Sequence, residues 1–401
     1  VQHLPADVGG ILARQENGKK RQENVAPMVE RQSAEENQEE QPGGAPEPRV
    51  RPSRLQALAK RLGLHLIATD ALTIRRRRCG RGFAYSRPDG SQIRNKQEIE
   101  RLASLAVPPA YHDVRYAEDS SAHLQAIGRD DAGRLQYRYH PAWEQVREMQ
   151  KARRLERLVD VLPRIRRSIA QHLASKEASR ELALAAVIEL VVRSGIRTGT
   201  ESYARICGTR GAATLLKSNM SVGNAAVALC FRAKGGKQIR KEFDAPRLAK
   251  AVEMLRKLPG RRLFQYRNGD GVVRTVTARE VNAFLREIAG VKISLKDFRT
   301  LLASAAVLET LARLSPAASA RARRRQVLEA VREVAEELHN TPAVCRRSYV
   351  HDTVVSAFED GVLESFADVL KSNRSALRRE QLLAKVVAIA SDPGEEESGV
   401  R

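Results

Sequence analysis

Apolar side chains recur along this chain with two different periods, and the change from one to the other divides it. Residues 82–90 alternate apolar and polar positions before Pro88-Asp89-Gly90, which predicts a strand and a turn. The alternation returns over 114–139, where His123-Leu124-Gln125-Ala126-Ile127 and Arg134-Leu135-Gln136-Tyr137-Arg138-Tyr139 flank a turn at 128–133, a hairpin. After Pro141 the period lengthens, and from 143 to 172 Leu, Val and Ile recur at helical spacing among many Arg and Lys. Further helices are predicted over 178–192, 278–288, 295–311, 318–338 and 341–349, with Pro316 and Pro342 as punctuation, and then over 354–370 and 376–390. A second hairpin, 227–243, interrupts them and turns at Gly235-Gly236. A short helix is expected over 53–64, ahead of the basic run Arg75-Arg76-Arg77-Arg78, and no internal repeat is visible.

These elements predict an α+β protein: a β-rich N-terminal domain over 53–141, a larger, mainly α domain over 142–360 that carries a β-hairpin, and C-terminal helices and tail over 361–401. Residues 1–52, rich in Gln, Glu, Asn, Pro and Gly, are expected to be a disordered tail, because they cannot bury enough apolar surface to order themselves. With 401 residues and 42% hydrophobic side chains, the chain has material for more than one core.

Charge narrows the partner. Lys and Arg number 70 against 48 Asp and Glu, a formal net charge of +22. Residues 1–50 hold 6 basic and 9 acidic side chains, so the remaining 351 carry a surplus of +25. A field of that size attracts polyanions, and nucleic acid is the expected one; a basic surface kept for solubility or ribosome association is the alternative. Cys79, Cys207, Cys230 and Cys345 form no CxxC pair and no cluster with His, which speaks against a zinc site or a disulfide framework. No apolar run approaches the ~18 residues of a membrane helix, and no hydrophobic signal core opens the chain. A cytoplasmic protein on the nucleoid, with no membrane partner, is expected.

Transesterification at a DNA phosphate without metal needs a nucleophile, cations on the non-bridging oxygens, a proton donor for the leaving oxygen and in-line geometry. The chain offers a residue for each part: Arg197 in Ser194-Gly195-Ile196-Arg197-Thr198-Gly199, Lys234 beside Gly235-Gly236, Arg299 in Lys296-Asp297-Phe298-Arg299-Thr300, Asn340 before Thr341-Pro342, and Tyr349 after Arg346-Arg347-Ser348. Taken singly, each has a structural reading. Arg197 could be a helix-end charge, Arg299 a partner of Asp297, Lys234 a solvated turn residue, Asn340 a helix N-cap and Tyr349 a packed aromatic.

Their order, Arg, hairpin Lys, Lys-x-x-Arg, Asn-Thr-Pro and Tyr, resembles the type IB DNA topoisomerases of the poxvirus and bacterial kind. The likeness runs through most of residues 75–360, including Gly82-Phe83-Ala84-Tyr85, Val107-Pro108-Pro109-Ala110-Tyr111, Gly128-Arg129-Asp130, Gln136-Tyr137-Arg138-Tyr139-His140, Leu258-Pro259-Gly260 and Tyr349-Val350-His351. It implies a catalytic domain of the topoisomerase IB and tyrosine recombinase type, relaxing supercoiled duplex DNA through a 3′-phosphotyrosyl intermediate on Tyr349, with no ATP, metal or other cofactor. Arg197 and Arg299 would hold the non-bridging oxygens, Lys234 would protonate the departing 5′-oxygen, and Asn340 would donate to a phosphate oxygen. Gln136, Tyr137 and Tyr139 match positions that contact the duplex, and a monomer clamped around DNA is the expected form. Arg193 also fits the Arg-x-Gly pattern; Tyr203 falls at the family's spacing from Arg197, which favours Arg197.

The sequence departs from the family pattern where Ala233 replaces a Gly and Leu301 an aromatic, and from the poxvirus-type enzymes where Asn340 stands for a His, though bacterial members often carry Asn there; these changes bear on rate more than on reaction type. His339, one position off, is expected to face elsewhere on a helix. A tyrosine recombinase is the nearest alternative, though recombinases carry His where Lys296 stands and have a helical rather than a β-rich N-terminal domain. A non-catalytic basic DNA-binding protein on the same fold is the other.

Overall fold

The computed structural model describes residues 54–223, 225–367 and 376–391. The tail expected over 1–52 lies outside them, as do the C-terminal residues beyond 391. Contacts divide the chain after Glu144.

The first unit is built on an antiparallel sheet of order β2-β1-β3-β4-β5: β1 Ile74–Cys79, β2 Gly82–Ser86, β3 His112–Tyr116, β4 Leu124–Arg129 and β5 Leu135–Tyr139. Helices α1 (Arg54–Arg61) and α2 (Lys96–Ser104) accompany it. The arginine run, which shows no alternation in sequence, forms β1. Its Arg76 is half-buried, with the guanidinium 4.1 Å over the Phe83 ring and donating to the carbonyls of Val107, Pro108 and Tyr111 at 2.9, 3.0 and 3.0 Å. Arg75, Arg77 and Arg78 are exposed. Tyr85 and Tyr116 meet edge to face at 5.5 Å in a core shared with Ile74, Ile93, Leu102 and Val114. Helix α2, not anticipated from the sequence, starts where the Asn95 side chain accepts a hydrogen bond from the Glu98 amide.

In the second unit α3 (Trp143–Leu173) is followed by α4 (Arg180–Ser194), whose sequence ELALAAVIELVV is apolar on every side; ten of its residues are buried. It begins at the Ser179 cap and ends at Gly195 in the left-handed conformation, φ 63°. After α5 (Glu201–Cys207) come β6 (Met220–Gly223), β7 (Ala226–Arg232) and β8 (Gln238–Asp244), an antiparallel sheet in which Arg232 opposes Gln238 across the hairpin turn. Then follow α6 (Pro246–Arg256), the short pair β9 (Gln265–Arg267) and β10 (Val273–Thr275), α7 (Ala278–Ala289), α8 (Leu295–Leu311), α9 (Ala320–Glu337), α10 (Pro342–Ser348), α11 (Asp352–Glu359) and α12 (Ala376–Ser391). The single stretch expected over 354–370 breaks after α11, because Gly361 takes φ 74°, and a 3₁₀ turn at Val362–Phe366 follows. Elements α5, α6, β6, β9 and β10 were not anticipated.

The segment after α4 is locked by backbone. Arg197 and Thr198 carbonyls accept from the amides of Ala212 and Ala213, both at 2.8 Å. Gly211 makes that approach possible, since a Cβ there would stand 2.5 Å from the Arg197 oxygen and 2.5 Å from the Gly199 nitrogen. Gly199 itself has φ 78° and a Cβ there would lie 2.7 Å from Gly211 Cα. The glycines flanking Arg197, Gly195 and Gly199, thus have a packing reason within the protein. Gly211→Ala is expected to destabilise this unit by about 3 kcal/mol through backbone displacement, whereas Gly208→Ala, in open space at φ 63°, should cost about 1 kcal/mol. Urea unfolding midpoints of the two variants check the difference.

Candidate active site

Two helix C-termini and one buried guanidinium define the site. Arg299, in the second turn of α8, is 3% exposed. Its Nη1 donates to the carbonyl of Gly195, the C-cap of α4, and its Nη2 to the carbonyl of Leu338, the C-cap of α9, at 3.3 Å. Terminal carbonyls of a helix lack intrahelical donors and carry its negative dipole end, so both suit a cation. Asp297 is not its partner: that carboxylate accepts from the Ser294 amide and hydroxyl at 2.8 and 3.0 Å, closing the cap of its own helix.

Two residues beyond each gripped carbonyl stands another site residue. Arg197, half-buried, follows Gly195, and Asn340, 8% exposed, follows Leu338. Arg197 Nη2 donates to Asn340 Oδ1. Arg193, the other reading of the Arg-x-Gly pattern, is exposed and pairs with Glu189 at 2.8 Å. Asn340 is not the cap of α10; that is Thr341, whose hydroxyl accepts from the Val344 amide, with Pro342 at the first helical position.

Tyr349 terminates α10 and is 8% exposed, with the Arg299 guanidinium carbon 4.7 Å from its ring centroid. Burial alone would raise its pKa. The charges of Arg299 and Arg197, a hydrogen bond to Arg299 and the charge of Lys296 outweigh that burial, so the phenol lies below an ordinary tyrosine. Arg299 in turn is lowered, chiefly by its own burial.

Lys234 stands apart from these four. It opens the 3₁₀ turn Lys234–Gly236 at the hairpin tip, exposed, with Nζ 5.9 Å from the ring centroid of Tyr203 on α5. The turn is closed by the Ala233 amide donating to Lys237 at 2.8 Å, with Gly235 and Gly236 at φ 76° and 75°. Ala233 lines a cavity together with Arg197, Arg210, Lys241 and Arg299.

His339 lines that cavity too, which corrects the expectation that it faces elsewhere on a helix. The reason is local: α9 has ended, and His339 takes φ 52° while Asn340 N returns to the Ala335 carbonyl at 2.7 Å. Burial and the surrounding charges of Lys241, Lys237, Arg299 and Arg197 lower its pKa, favouring the neutral ring. Lys241 was also missed. It lies on the inward face of β8 with Ile239 and Phe243, and its ammonium donates to the Ser194 carbonyl at 2.8 Å. Burial lowers its pKa. The inward alternation of β8 is the signal that could have found it.

Two buried donors in this cluster have no acceptor: Arg299 Nε and Asn340 Nδ2. An orphaned buried donor costs about 1–3 kcal/mol. Arg299, packed on Tyr349, and the bonded pair Arg197 and Asn340 thus gather hydrogen-bond donors suited to an anionic, oxygen-rich group.

In the first unit Tyr137 and Tyr139 share one face of β5, their rings stacked at 6.2 Å and 13°. Tyr139 continues the stack onto Trp143 at 6.2 Å, and both tyrosines are half-buried against the cluster of Leu72, Ala122 and Ile127. Gln136 donates to Asp130 at 2.9 Å.

Such a helical domain, with arginines, an asparagine and a tyrosine brought together, has the chemistry of a site for an oxygen-rich anion. The family described as "Eukaryotic DNA topoisomerase I, catalytic core" matches residues 140–375, and "Bacterial DNA topoisomerase IB, N-terminal domain" matches 82–130. A DNA topoisomerase 1B of Acanthamoeba polyphaga mimivirus is 27% identical over 294 residues, covering 72% of this chain and 88% of that protein. Among solved structures, a XerH site-specific recombinase bound to a palindromic difH substrate aligns over 53% of this chain and 52% of its own with 16% identity and a TM-score of 0.32, too low to bear on the assignment. The chain belongs to the type IB DNA topoisomerases, of the bacterial and viral kind, and is an isomerase that relaxes DNA.

Because Arg197 is the more accessible of the two arginines whose charges act on Tyr349, Arg197→Gln is the cleaner test of the electrostatics. In the wild type, the phenolate absorbance lost in Tyr349→Phe should appear below the pH at which an ordinary tyrosine ionises. In Arg197→Gln that component should move to higher pH, since burial then meets less opposing charge. An unmoved titration would show that Arg197 does not act on the phenol.

Proposed function

We propose that Tyr349 is the nucleophile of this topoisomerase. Its phenolate oxygen attacks the scissile phosphorus, a phosphotyrosyl bond forms to the 3′ end, and the bond to the 5′-oxygen breaks. Lys234 gives that oxygen its proton, and religation reverses each step. One ester replaces another, so the cycle needs no ATP, and the cations that a metal would otherwise supply are side chains of the protein. Arg197 and Arg299 hold the non-bridging oxygens, and Asn340 adds a neutral donor.

The observation that carries this reading is the pair of acceptorless buried donors, Arg299 Nε and Asn340 Nδ2, in the cluster that surrounds Tyr349. Phosphate oxygens are acceptors of the right charge. The depressed phenol pKa supports the same role, because a more readily ionised tyrosine is a better nucleophile near neutral pH. For Lys234 the support is its place beside Gly235-Gly236 on an exposed turn adjoining the cavity-lining Ala233. The substrate we infer is supercoiled duplex DNA, bound by a monomer that clamps around it in the cytoplasm, on the nucleoid. Gln136, Tyr137 and Tyr139 would lie against the duplex, with the stacked tyrosine pair as its apolar contact.

Relaxation of a supercoiled plasmid with excess chelator and no nucleotide tests the reaction and should proceed. Tyr349→Phe should abolish the covalent protein–DNA adduct and retain DNA affinity, and Asn340→Ala should slow cleavage by ~10²-fold, the loss of one preorganised donor. A covalent adduct surviving Tyr349→Phe would sink the assignment.

A further inference from the structure

The segment that carries Tyr349 is held from two helices. On α8 the Ser304 hydroxyl, fully buried, donates to the Tyr349 carbonyl and accepts from the His351 amide, both at 3.0 Å. On α3 the Lys151 ammonium donates to the Val350 carbonyl at 3.0 Å and the Arg347 carbonyl at 3.4 Å. Lys151 also pairs with Glu148 one turn earlier at 2.6 Å, and the two side chains are only 14% and 17% exposed.

A lysine that sheltered requires a reason. Helix α10 is seven residues long, and its last carbonyls have no intrahelical donors. Lys151 supplies donors to two carbonyls flanking the nucleophile and sets a positive charge at the negative end of the helix. Glu148 offsets the cost of burying that charge. His351, beside Lys151, is kept neutral, its pKa pushed down to about 4 first by burial and then by that ammonium, while its Nδ1 accepts from the Thr353 amide at 3.2 Å and caps α11.

We propose that Lys151 is a positioning residue for the cleavage step: its ammonium, reaching from α3, fixes the backbone of residues 347–350 so that the Tyr349 oxygen is held in line before DNA is cut. The inference rests on Tyr349 being the nucleophile. Lys151 touches no reacting atom, and its effect is geometric. Reaction from a bound near-attack geometry falls by ~10²-fold for a misplacement of about 1 Å. Loosening the segment handicaps the free tyrosine, which must find the phosphorus, more than the tyrosine already tethered to it. Cleavage should therefore slow more than religation.

Single-turnover cleavage and religation of one duplex oligonucleotide by the full chain test this. Lys151→Met, which keeps the aliphatic stem, should lower the cleavage rate 10- to 100-fold and religation by less than about threefold, so that the covalent fraction at equilibrium drops. The dissociation constant for uncut DNA should stay within about twofold. Lys151→Arg, able to donate to the same carbonyls, should recover most of the rate. Glu148→Gln provides a second route should Lys151→Met fold poorly, and it should shift the covalent fraction in the same direction but less. Wild-type cleavage by both Lys151→Met and Glu148→Gln overturns the proposal, as does an equal loss in cleavage, religation and DNA affinity. Peptide mapping of the wild-type adduct separates the two readings, because an adduct on another residue defeats the nucleophile assignment whatever Lys151 does.

Discussion

The Arg299 guanidinium is the interaction on which the rest of the site depends. A planar fork with fixed donors can take one carbonyl from each of two helices, and here it takes Gly195 from α4 and Leu338 from α9. Fixing those two helix ends also fixes Arg197 and Asn340, each two positions further along the chain, and these then hydrogen-bond to one another. Tyr349 lies against the same guanidinium. Lysine could not replace it, because a single ammonium has no rigid plane with which to set the angle between two helices.

Such an arrangement works against folding. The cluster holds two arginines, one of them almost wholly buried, and the nearest acid in sequence, Asp297, is committed to the cap of α8. Its orphaned donors each cost about 1–3 kcal/mol. The surrounding unit offsets this with a long apolar α4, with twelve buried residues on α8 and with ion pairs that tie α12 to the body, Arg166 to Glu380 at 2.8 Å and Arg379 to Glu309 at 2.5 Å. A tyrosine shielded from water would ordinarily be a poor nucleophile. Here the charges of Arg299 and Arg197 outweigh that burial, so the buried cations that cost the fold stability also lower the phenol pKa.

Long helices such as α4, α8 and α9 were legible in the sequence, and the structure caps them at Ser179, Gly195, Ser294 and Ser319. Three-residue strands such as β9 and β10 have too few positions to show a period. Strand β1 hides its alternation because all four central residues are arginine, and only the carbonyls of a distant loop reveal that Arg76 points inward. Arg197, Arg299, Asn340 and Tyr349, which the fold brings together, were legible as an ordered set, each of them unremarkable alone. His339 and Lys151 were not. The first reaches the cavity through a left-handed backbone turn that no pattern announces, and the second is one basic residue among many on a helix whose neighbours become known only when the chain is folded.

Lys234 and Lys241, seven positions apart on one hairpin, are held in opposite ways. Lys241 faces inward, donates to the Ser194 carbonyl and has its pKa lowered by burial. It stitches β8 to the end of α4, the same turn that Arg299 grips. A lysine so engaged has spent part of its donor capacity on structure. Lys234 instead keeps its ammonium in water at the end of a turn with two glycines in the left-handed conformation. The hairpin thus holds an inner lysine that fixes the strand against the end of α4 and an outer one that stays exposed at the turn.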